Sequence, residues 1–244
     1  MRILSAFTPD RPCLALTELA RRSGLPLTTA HRLIATLLEA GLLERDGAGC
    51  YHIGLRLWEV ASLMPYNRGL RDVALPFMED LSQVTHENVQ LGVREGSELL
   101  ILERINGRQA VPVTNRVGGR IPMHPSAAGR VMLAFAPPEV QEAVLGSSLE
   151  RFTPYTITAP AELRAILADV RAQGYAITDR EVTDDAVSVA APIRYLDGSV
   201  AAALALVVQA GPASPAGLVP LVQAAVRGIS RSLRPIPWLQ VAAS

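Results

Sequence analysis

Small polar and basic side chains recur along residues 27–39 at the spacing of one helix face. The apolar residues there repeat every three or four positions, which predicts an amphipathic helix with one buried stripe. That stripe is formed by Ala30, Leu33, Ile34, Leu37 and Leu38. The opposite face and its edges carry Thr28, Thr29, His31, Arg32 and Thr36. Hydroxyls and guanidiniums on an exposed helix contact base edges in the major groove, so this face predicts DNA binding, with Thr28 and Arg32 at its centre.

The residues around this helix predict the frame that holds it. A short helix ends at Ser23-Gly24, where glycine accepts the left-handed conformation, and Pro26 favours the first turn of the next helix. Such a corner between two helices also occurs in folds that bind no DNA. Residues 41–54 then form an extended run, a turn at Asp46-Gly47 and a returning strand, which together predict a winged helix-turn-helix. Arg45 on this wing is predicted to contact phosphate.

A second candidate site lies at Ser126–Gly129, in the other half of the chain. Ser126 is a favourable N-cap residue, and Ala127, Ala128 and Gly129 place no large side chain over the first amides of the helix. Free amides at the positive end of a helix bind anions, and a carboxylate suits this geometry. A plain capped helix that packs closely through its small residues would have the same sequence, so both interpretations stay open here.

Several segments together resemble one known family, the IclR family of bacterial transcriptional regulators. The N-terminal domain of that family is similar to the segments LTELARRSGLPLTTAHRLIATLLEAGLLERD and YHIGLRLWE. Its C-terminal effector domain is similar to IPMHPSAAGRVMLAF, RAQGYAITDREV and VAAPIRYLDGSVAAALAL. The resemblance covers nearly the whole chain in the expected order, so it is specific for the family but not for an individual regulator.

The resemblance implies an α+β protein with a winged helix-turn-helix followed by a GAF-like effector domain, in which helices flank an antiparallel sheet. The implied boundaries are 1–54 for the DNA-binding domain, 55–69 for a linker helix and 70–244 for the effector domain. It further implies a dimer or tetramer that binds a double-stranded operator, with the linker helix contributing to the dimer. A helix packed on its own domain is the alternative for residues 55–63. Members of the family usually have more chain before Met1–Phe7, which implies a shortened first helix there.

The resemblance also implies where an effector binds. In the family the loop at Ser126–Gly129 helps to line the effector pocket, and the polar contacts from the next strands fall here on Ser188 and on Thr178 or Asp179. The implied effector is a small organic acid, either carboxylic or aromatic. In this scheme the apolar part of the effector rests on the strands near Val189 and Leu204.

Three departures from the family pattern concern the same region. Arg130 replaces a common lysine, Asp185 replaces a glycine, and Ser188 replaces a cysteine. They predict polar contacts that differ from those of other members. The acids Glu181 and Asp184 are also compatible with an ordinary solvated loop.

The hydrophobic pattern of the second half of the chain predicts several strands and helices, with a strand hairpin near its end. Alternation and apolar runs predict strands at 88–94, 99–105 (buried on both faces), 111–113, 175–178, 187–193 and 199–208. Helical periodicity predicts helices at 127–135, 159–173 (capped by Thr158) and 218–233. Asp197-Gly198 predicts the turn of the closing hairpin.

Enzymatic motifs do not emerge from the chain. The four histidines are scattered, Ser126 lacks a Gly-x-Ser-x-Gly setting, and Gly118-Gly119 lacks a nucleotide-binding pattern. Cys50 and His52 offer two metal ligands without partners, and His124 is the one hint of a metal in the effector half. We therefore predict no catalytic residue, no metal and no cofactor. The alternative function is a small-molecule sensor or enzyme domain whose winged helix serves protein contacts.

The charge balance limits how the chain binds DNA. Formal net charge is +0, and residues 1–60 hold seven arginines against six acidic residues. Binding then depends on where the arginines lie and on doubling the contact surface in a dimer. Neither a membrane span nor the apolar core of a signal peptide is present, which predicts a cytoplasmic protein. Cys13 and Cys50 are too few for a disulfide framework and are predicted to be free thiols.

Overall fold

The protein divides into two compact units, the first spanning Met1–Arg68 and the second beginning at Gly69. The computed structural model describes residues 1–64, 66–108, 110–113, 115–211 and 214–233. Residues 234–244, which the sequence assigned to the effector domain, lie outside the described residues. The predicted linker contains helix α3, Leu55–Ala61, which belongs to the first unit.

The first unit consists of a helix pair followed by a small hairpin, as predicted. Its elements before α3 are α1, Leu16–Ser23; α2, Leu27–Glu39; β1, Leu43–Arg45; and β2, Tyr51–Ile53. Helix α1 ends because Gly24 takes φ +66°, and α2 begins directly after Pro26. Strands β1 and β2 pair antiparallel to form the wing. Residues 4–6 form a 3-10 turn in place of the α-helix predicted over Met1–Phe7.

One apolar core holds this unit together. Buried members include Ile3, Leu14, Leu19, Ile34, Leu43 and Tyr51. Ala30 and Ile34 of the predicted α2 stripe are buried, whereas Leu33 is exposed. Because Leu33 lies 100° around the helix from Ile34, it falls outside the face that α1 and β1 cover. The apolar stripe predicted for α2 is therefore wider than the face that is buried.

Cys13 and Cys50 form a disulfide, so the prediction of two free thiols is wrong. Leu14 and Tyr51 exchange two backbone hydrogen bonds of 2.9 Å, and the residue before each of them is a cysteine. This pairing brings the two Cα atoms to 5.7 Å, within the usual range for a disulfide. No local pattern signals it, because 37 positions separate the two cysteines.

A six-stranded antiparallel sheet forms the centre of the second unit. Its strands are β3, Asn88–Glu95; β4, Glu98–Ile105; β5, Arg120–Pro122; β6, Ala176–Asp179; β7, Ala186–Arg194; and β8, Val200–Gln209. The order across the sheet is β5-β4-β3-β8-β7-β6. Glycines at positive φ close two hairpins, Gly96 between β3 and β4 and Gly198 between β7 and β8, the second of which is the turn predicted at Asp197-Gly198.

Helices cover both faces of this sheet. They are α4, Asp72–Thr85; α5, Ala127–Ala134; α6, Pro138–Leu145; α7, Pro160–Gln173; and α8, Pro215–Ser232. Helices α5 and α7 share one core with Ala203 and Ala205 of β8. Leu204 and Leu206, which alternate with them, point to the other face, where α8 packs on β7 and β8.

Three local predictions are wrong. Residues 111–113 form no strand, and β5 takes that place in the sheet. Strand β4 alternates between buried and half-buried residues instead of being buried on both faces, because Leu99 and Ile101 pack into the core with α5 whereas its other face is only partly covered. Thr158 caps no helix: α7 begins at Pro160, a residue that suits the first helical position, and the Thr158 hydroxyl accepts a hydrogen bond from Arg151.

The predicted fold class is confirmed. A winged helix-turn-helix precedes a unit in which helices flank one antiparallel sheet. Among the described residues, no helix combines the length and apolar character needed to cross a membrane.

Candidate functional site

The outer face of α2 carries the predicted DNA-binding residues. Thr28, His31, Arg32 and Thr36 are exposed, and Thr29 is half-buried at the edge. The guanidinium of Arg32 has no ion-pair partner among the described residues, so all its donors are free for a ligand. The Thr36 hydroxyl donates to the Arg32 carbonyl at 3.3 Å, which leaves its lone pairs available as acceptors.

The start of α2 offers further donors. Its N-cap is Pro26, and no side chain accepts hydrogen bonds from the first amides of the helix. Free amides and the positive end of the helix dipole favour a phosphate at this position. On the wing, Arg45 is exposed, with its guanidinium 5.2 Å from the centre of the Tyr51 ring and its Nε donating to the Gly49 carbonyl. These contacts orient the Arg45 side chain without neutralising its charge.

The second unit contains a cavity whose floor is one face of the sheet. Cross-strand pairing aligns Thr178 with Ser188, and Ser188 with Val207. Two positions before Val207 on β8, Ala205 lies opposite Gln90 of β3. All five residues line the cavity, because positions two apart on a strand share a face. The register of the sheet therefore gathers these five residues from four strands, and the three polar ones come from β3, β6 and β7.

The walls of the cavity come from the start of α5 and from loops. Ser126 and Ala128 lie on one side, and the loop after β6 contributes Glu181, Val182 and Thr183 on another. The remaining lining residues are Val113, Asn115, Ile121 and Ala186. About 530 Å³ of space lies between these groups, the open mouth included.

Ser126 closes the first turn of α5 as a capping residue. Its Oγ accepts a hydrogen bond from the Gly129 amide at 3.1 Å, so the hydroxyl hydrogen remains free to point toward the cavity. Among the described residues, no side chain is recorded as accepting from the amides of Ala127 and Ala128. The structure thus combines a capped helix with free amides at the same place.

Among the described lining residues one is charged, and an arginine behind the cavity wall neutralises it. Glu181 forms an ion pair with Arg130, with 2.5 Å between Oε2 and Nη2, and both side chains are buried. Burial raises the pKa of the Glu181 carboxyl, and the Arg130 charge opposes that rise. The solvated loop that the sequence allowed for Glu181 is therefore wrong, whereas Asp184 is exposed.

Three predicted effector contacts lie outside the cavity lining. Asp179 follows Thr178 on the strand and so points away from the floor, where it pairs with Arg180 in solvent. Ala127 is buried in the core beneath α5. Gly129 packs against the backbone of Met123 so closely that a Cβ would lie 2.3 Å from the Met123 oxygen. Ser126, Ala128, Thr178 and Ser188 do line the cavity.

The apolar surface predicted near Val189 and Leu204 belongs to the opposite face of the sheet. Both residues are fully buried, and each lies one position away from the residue that faces the cavity. Because β7 and β8 are apolar on both faces, the sequence lacks the alternation that would have identified the correct face.

Gln90 is a lining residue that sequence reasoning missed. It is buried, and its Nε2 has no hydrogen-bond partner within the described part of the chain. An unpaired buried amide costs about 1–3 kcal/mol, so a donor kept in this state at a cavity wall indicates a site for an acceptor. The sequence signal was present, since Gln90 interrupts an otherwise apolar strand between Val89 and Leu91.

Comparisons with known proteins cover both units. The family profile described as the IclR helix-turn-helix domain matches residues 1–47, and that of the bacterial transcriptional regulator IclR C-terminal matches residues 65–231. The HTH-type transcriptional regulator KipR of Bacillus subtilis is 35% identical over 208 residues, which are 84% of this chain and 82% of KipR. The transcriptional repressor IclR of Escherichia coli is 30% identical over 185 residues, which are 74% of this chain and 68% of that repressor.

Among solved structures, an IclR homolog from Microbacterium hydrocarbonoxydans, complexed with 4-hydroxybenzoate, is 39% identical with a TM-score of 0.91. The match covers 95% of this chain and 96% of that one. The relatives are regulators of transcription rather than enzymes. By its two domains and its matched residues, this chain belongs to the IclR family of bacterial DNA-binding transcriptional regulators.

Proposed function

We propose that α2 reads the operator in the major groove and that a small aromatic carboxylic acid in the cavity controls this binding. In this proposal residues 1–54 bind DNA, 55–69 link the domains and 70–244 bind the effector, as the sequence implied. The exposed, unpaired Arg32 carries the first half of the proposal, and the unpartnered Gln90 carries the second. We place the protein in the cytoplasm, where a bacterial operator is found.

The contacts with DNA divide into two kinds. Arg32 and Thr28 extend from the exposed face of α2 and read base edges, with His31, Thr29 and Thr36 at the margins of the same face. The free amides that follow Pro26 and the wing residue Arg45 bind phosphates, which position the helix without reading sequence.

Replacing Arg32 by alanine tests the reading face. If Arg32 donates to a guanine, Arg32→Ala weakens specific binding by about 1–3 kcal/mol and relaxes the preference at one base pair. The measurement is fluorescence anisotropy with duplexes selected from a random library by the purified protein. Arg164→Ala is the matched control, because Arg164 is an exposed helical arginine of the second unit.

Replacing Arg45 on the wing is expected to give a different result from Arg32→Ala in the same assay. Arg45→Ala lowers affinity about equally for selected and unselected duplexes and reduces the salt dependence by about one phosphate contact. Unchanged affinity of Arg32→Ala, with the control also unchanged, would remove Arg32 from the interface.

The proposed effector follows from the neutral donors of the cavity. Its carboxylate accepts hydrogen bonds from the first amides of α5 and from the Ser126 hydroxyl, where the helix dipole favours negative charge. Its flat ring lies on Ala128 and Ala205, whose small side chains leave room above the sheet. Gln90, Thr178 and Ser188 contact polar groups of the ligand on the floor. The 4-hydroxybenzoate complex of the Microbacterium homolog supports this class of ligand.

Filling the space over the amides tests where the effector binds. At about 100 times Kd, 4-hydroxybenzoate or a related acid stabilises the fold by about 2.7 kcal/mol, or roughly 5–10 °C in melting temperature. Ala128→Leu abolishes this shift because its side chain occupies the ligand site. Ala165→Leu, the same change at an exposed position of α7, retains it. A ligand that stabilises Ala128→Leu as much as the parent protein would show that the pocket lies elsewhere.

The substitution Gln90→Leu tests whether Gln90 contacts the ligand or only packs in the protein interior. Removing the unpaired donor raises the melting temperature of the ligand-free protein, since the buried amide costs about 1–3 kcal/mol, while the shift caused by the acid becomes smaller. Gln141→Leu is the control, because its Nε2 already donates to the Ala136 carbonyl at 2.8 Å and its loss lowers stability. Calorimetry with and without ligand measures both effects. A Gln90→Leu protein of lower stability and unchanged ligand shift would contradict the assignment.

We further propose that the active species contains at least two copies joined through α3. No residue of this helix is buried, and large apolar side chains are exposed on it and on the turn that follows. These are Leu55, Trp58, Val60, Leu63 and Met64. Leu57 and Ala61, which the sequence also assigned to the dimer, are half-buried. A second copy explains the exposed surface and doubles a DNA contact that carries little excess charge.

Trp58→Glu tests this interface. A buried carboxylate without a partner disfavours the dimer, so sedimentation at micromolar concentration changes from a dimer or larger species to the 26.1 kDa monomer. Val84→Glu introduces the same charge at another exposed apolar residue, on α4, and leaves the assembly unchanged. Observation of a parent protein that is monomeric and still binds its operator specifically would refute the proposal.

A further inference from the structure

The Cys13–Cys50 pair lies on the outer surface of the first unit, outside both proposed sites. Leu14 and Tyr51, the next residues, point into the core, so alternation directs the two cysteine side chains outward. Cys13 is exposed and Cys50 is half-buried, so solutes reach the sulfur atoms. Cysteines that serve only packing are usually buried and unreactive.

Backbone hydrogen bonds hold this pair in place without the covalent bond. The Leu14–Tyr51 bridge fixes the two segments against each other. In the wing turn, the Asp46 amide donates to the Cys50 carbonyl at 3.0 Å, and the Cys50 amide donates to Asp46 Oδ1 at 2.8 Å. Because these contacts do not involve sulfur, the thiols stay adjacent after reduction, and the disulfide can form and break without refolding the unit.

From this geometry we infer that Cys13 and Cys50 are a reversible thiol–disulfide modification site that adjusts DNA affinity. Cys50 directly precedes the returning strand of the wing, and Cys13 precedes the helix pair, so the bond fastens the wing to the base of α1. Oxidation adds a covalent restraint to these hydrogen bonds and so reduces the motion that remains in the wing that carries Arg45 before DNA binds, which lowers the ordering cost of binding. This second step rests on the proposed contact of the wing with phosphate.

The oxidant is hydrogen peroxide. One thiolate attacks the peroxide O–O bond, forming a sulfenic acid and releasing water after proton transfer. The other thiol then attacks the sulfenic sulfur, the S–S bond forms and a second water leaves. Two electrons pass from the sulfurs to the peroxide, and a dithiol returns them in the reverse modification by thiol–disulfide exchange.

Metal binding is the alternative use of the same side chains. Asp46 lies beside the pair, with Oδ2 3.7 Å from the Cys13 sulfur, and one ligand atom from each of Cys13, Asp46 and Cys50 lies within 4.8 Å of the others. The Asp46 carboxylate already accepts two turn amides, from Ala48 and Cys50. The structure has the two sulfurs joined to each other, which favours redox chemistry over metal binding.

The first measurement is the state of the thiols in the full-length protein. Treatment with hydrogen peroxide followed by alkylation and mass spectrometry is expected to give one Cys13–Cys50 disulfide, and dithiothreitol is expected to give two alkylated cysteines. Two alkylated cysteines after peroxide would overturn the proposal. Stoichiometric zinc in the reduced protein, with loss of disulfide formation, would overturn it in favour of a metal site.

The second measurement is DNA affinity in both states. The oxidised protein is expected to bind its selected duplex about threefold to tenfold more tightly than the reduced protein. Cys13→Ser and Cys50→Ser are expected to bind like the reduced protein and to ignore peroxide. The melting temperatures of both variants are compared with that of the reduced parent protein. This comparison distinguishes a folding defect from the loss of the redox response.

Two further outcomes show whether the redox switch or the proposed phosphate contact of the wing is wrong. Equal affinity in the two states, or a peroxide response retained in both serine variants, would overturn the switch. If the redox state alters affinity while Arg45→Ala has no effect, the proposed phosphate contact is wrong and the thiol site stands.

Discussion

A buried ion pair determines the shape of the effector cavity. The Arg130 guanidinium donates from Nη2 to Glu181 Oε2 and from Nε to the His124 carbonyl, while the same Glu181 oxygen accepts the Ile157 amide. Three segments that are distant in sequence therefore meet at one carboxylate. Removing one partner of such a pair leaves a buried charge and costs about 3–5 kcal/mol. The cavity depends on this pair for its walls more than for a ligand contact.

This arrangement also explains what an arginine does at position 130. Its planar guanidinium donates in two directions at once, to a carboxylate and to a main-chain oxygen, which a lysine ammonium on a flexible stem does less well. Because the guanidinium is already engaged behind the wall, the described lining presents no cation to a ligand. In the proposed complex, a carboxylate is therefore recognised by neutral donors and by the dipole of α5. Such contacts discriminate through geometry and desolvation, so the fit of the ring on the small residues of the floor acquires more weight.

Features encoded in neighbouring residues could be predicted from the sequence. The helix pair, the wing and the hairpin at Asp197-Gly198 rest on glycine, proline and periodicity within a few positions, and the structure has each of them. Contacts between distant residues could not be predicted in this way. Glu181 resembled a solvated acid because its partner Arg130 lies 51 positions away, and the cysteine pair is separated by 37.

The cavity floor illustrates a second limit of sequence reasoning. Strands β7 and β8 are apolar on both faces, so hydrophobic pattern cannot tell which residues face the ligand, and Val189 and Leu204 were assigned to the wrong side. Polar residues resolve the ambiguity. Thr178, Ser188 and Gln90 stand in apolar strands, and the register aligns all three on the cavity face.

Near-neutral charge and effector control are connected in this protein. A ligand changes DNA affinity only by the difference between its affinities for two arrangements of the protein, typically about 1–3 kcal/mol. A strongly basic domain would remain on DNA through nonspecific phosphate contacts despite such a change. Residues 1–60 carry seven arginines against six acids, so in the proposed function operator binding depends on a few well-placed groups such as Arg32. Under the proposed function, the loss or gain of a small number of specific contacts is then enough to change operator affinity, and an effector of modest differential affinity can act as a switch.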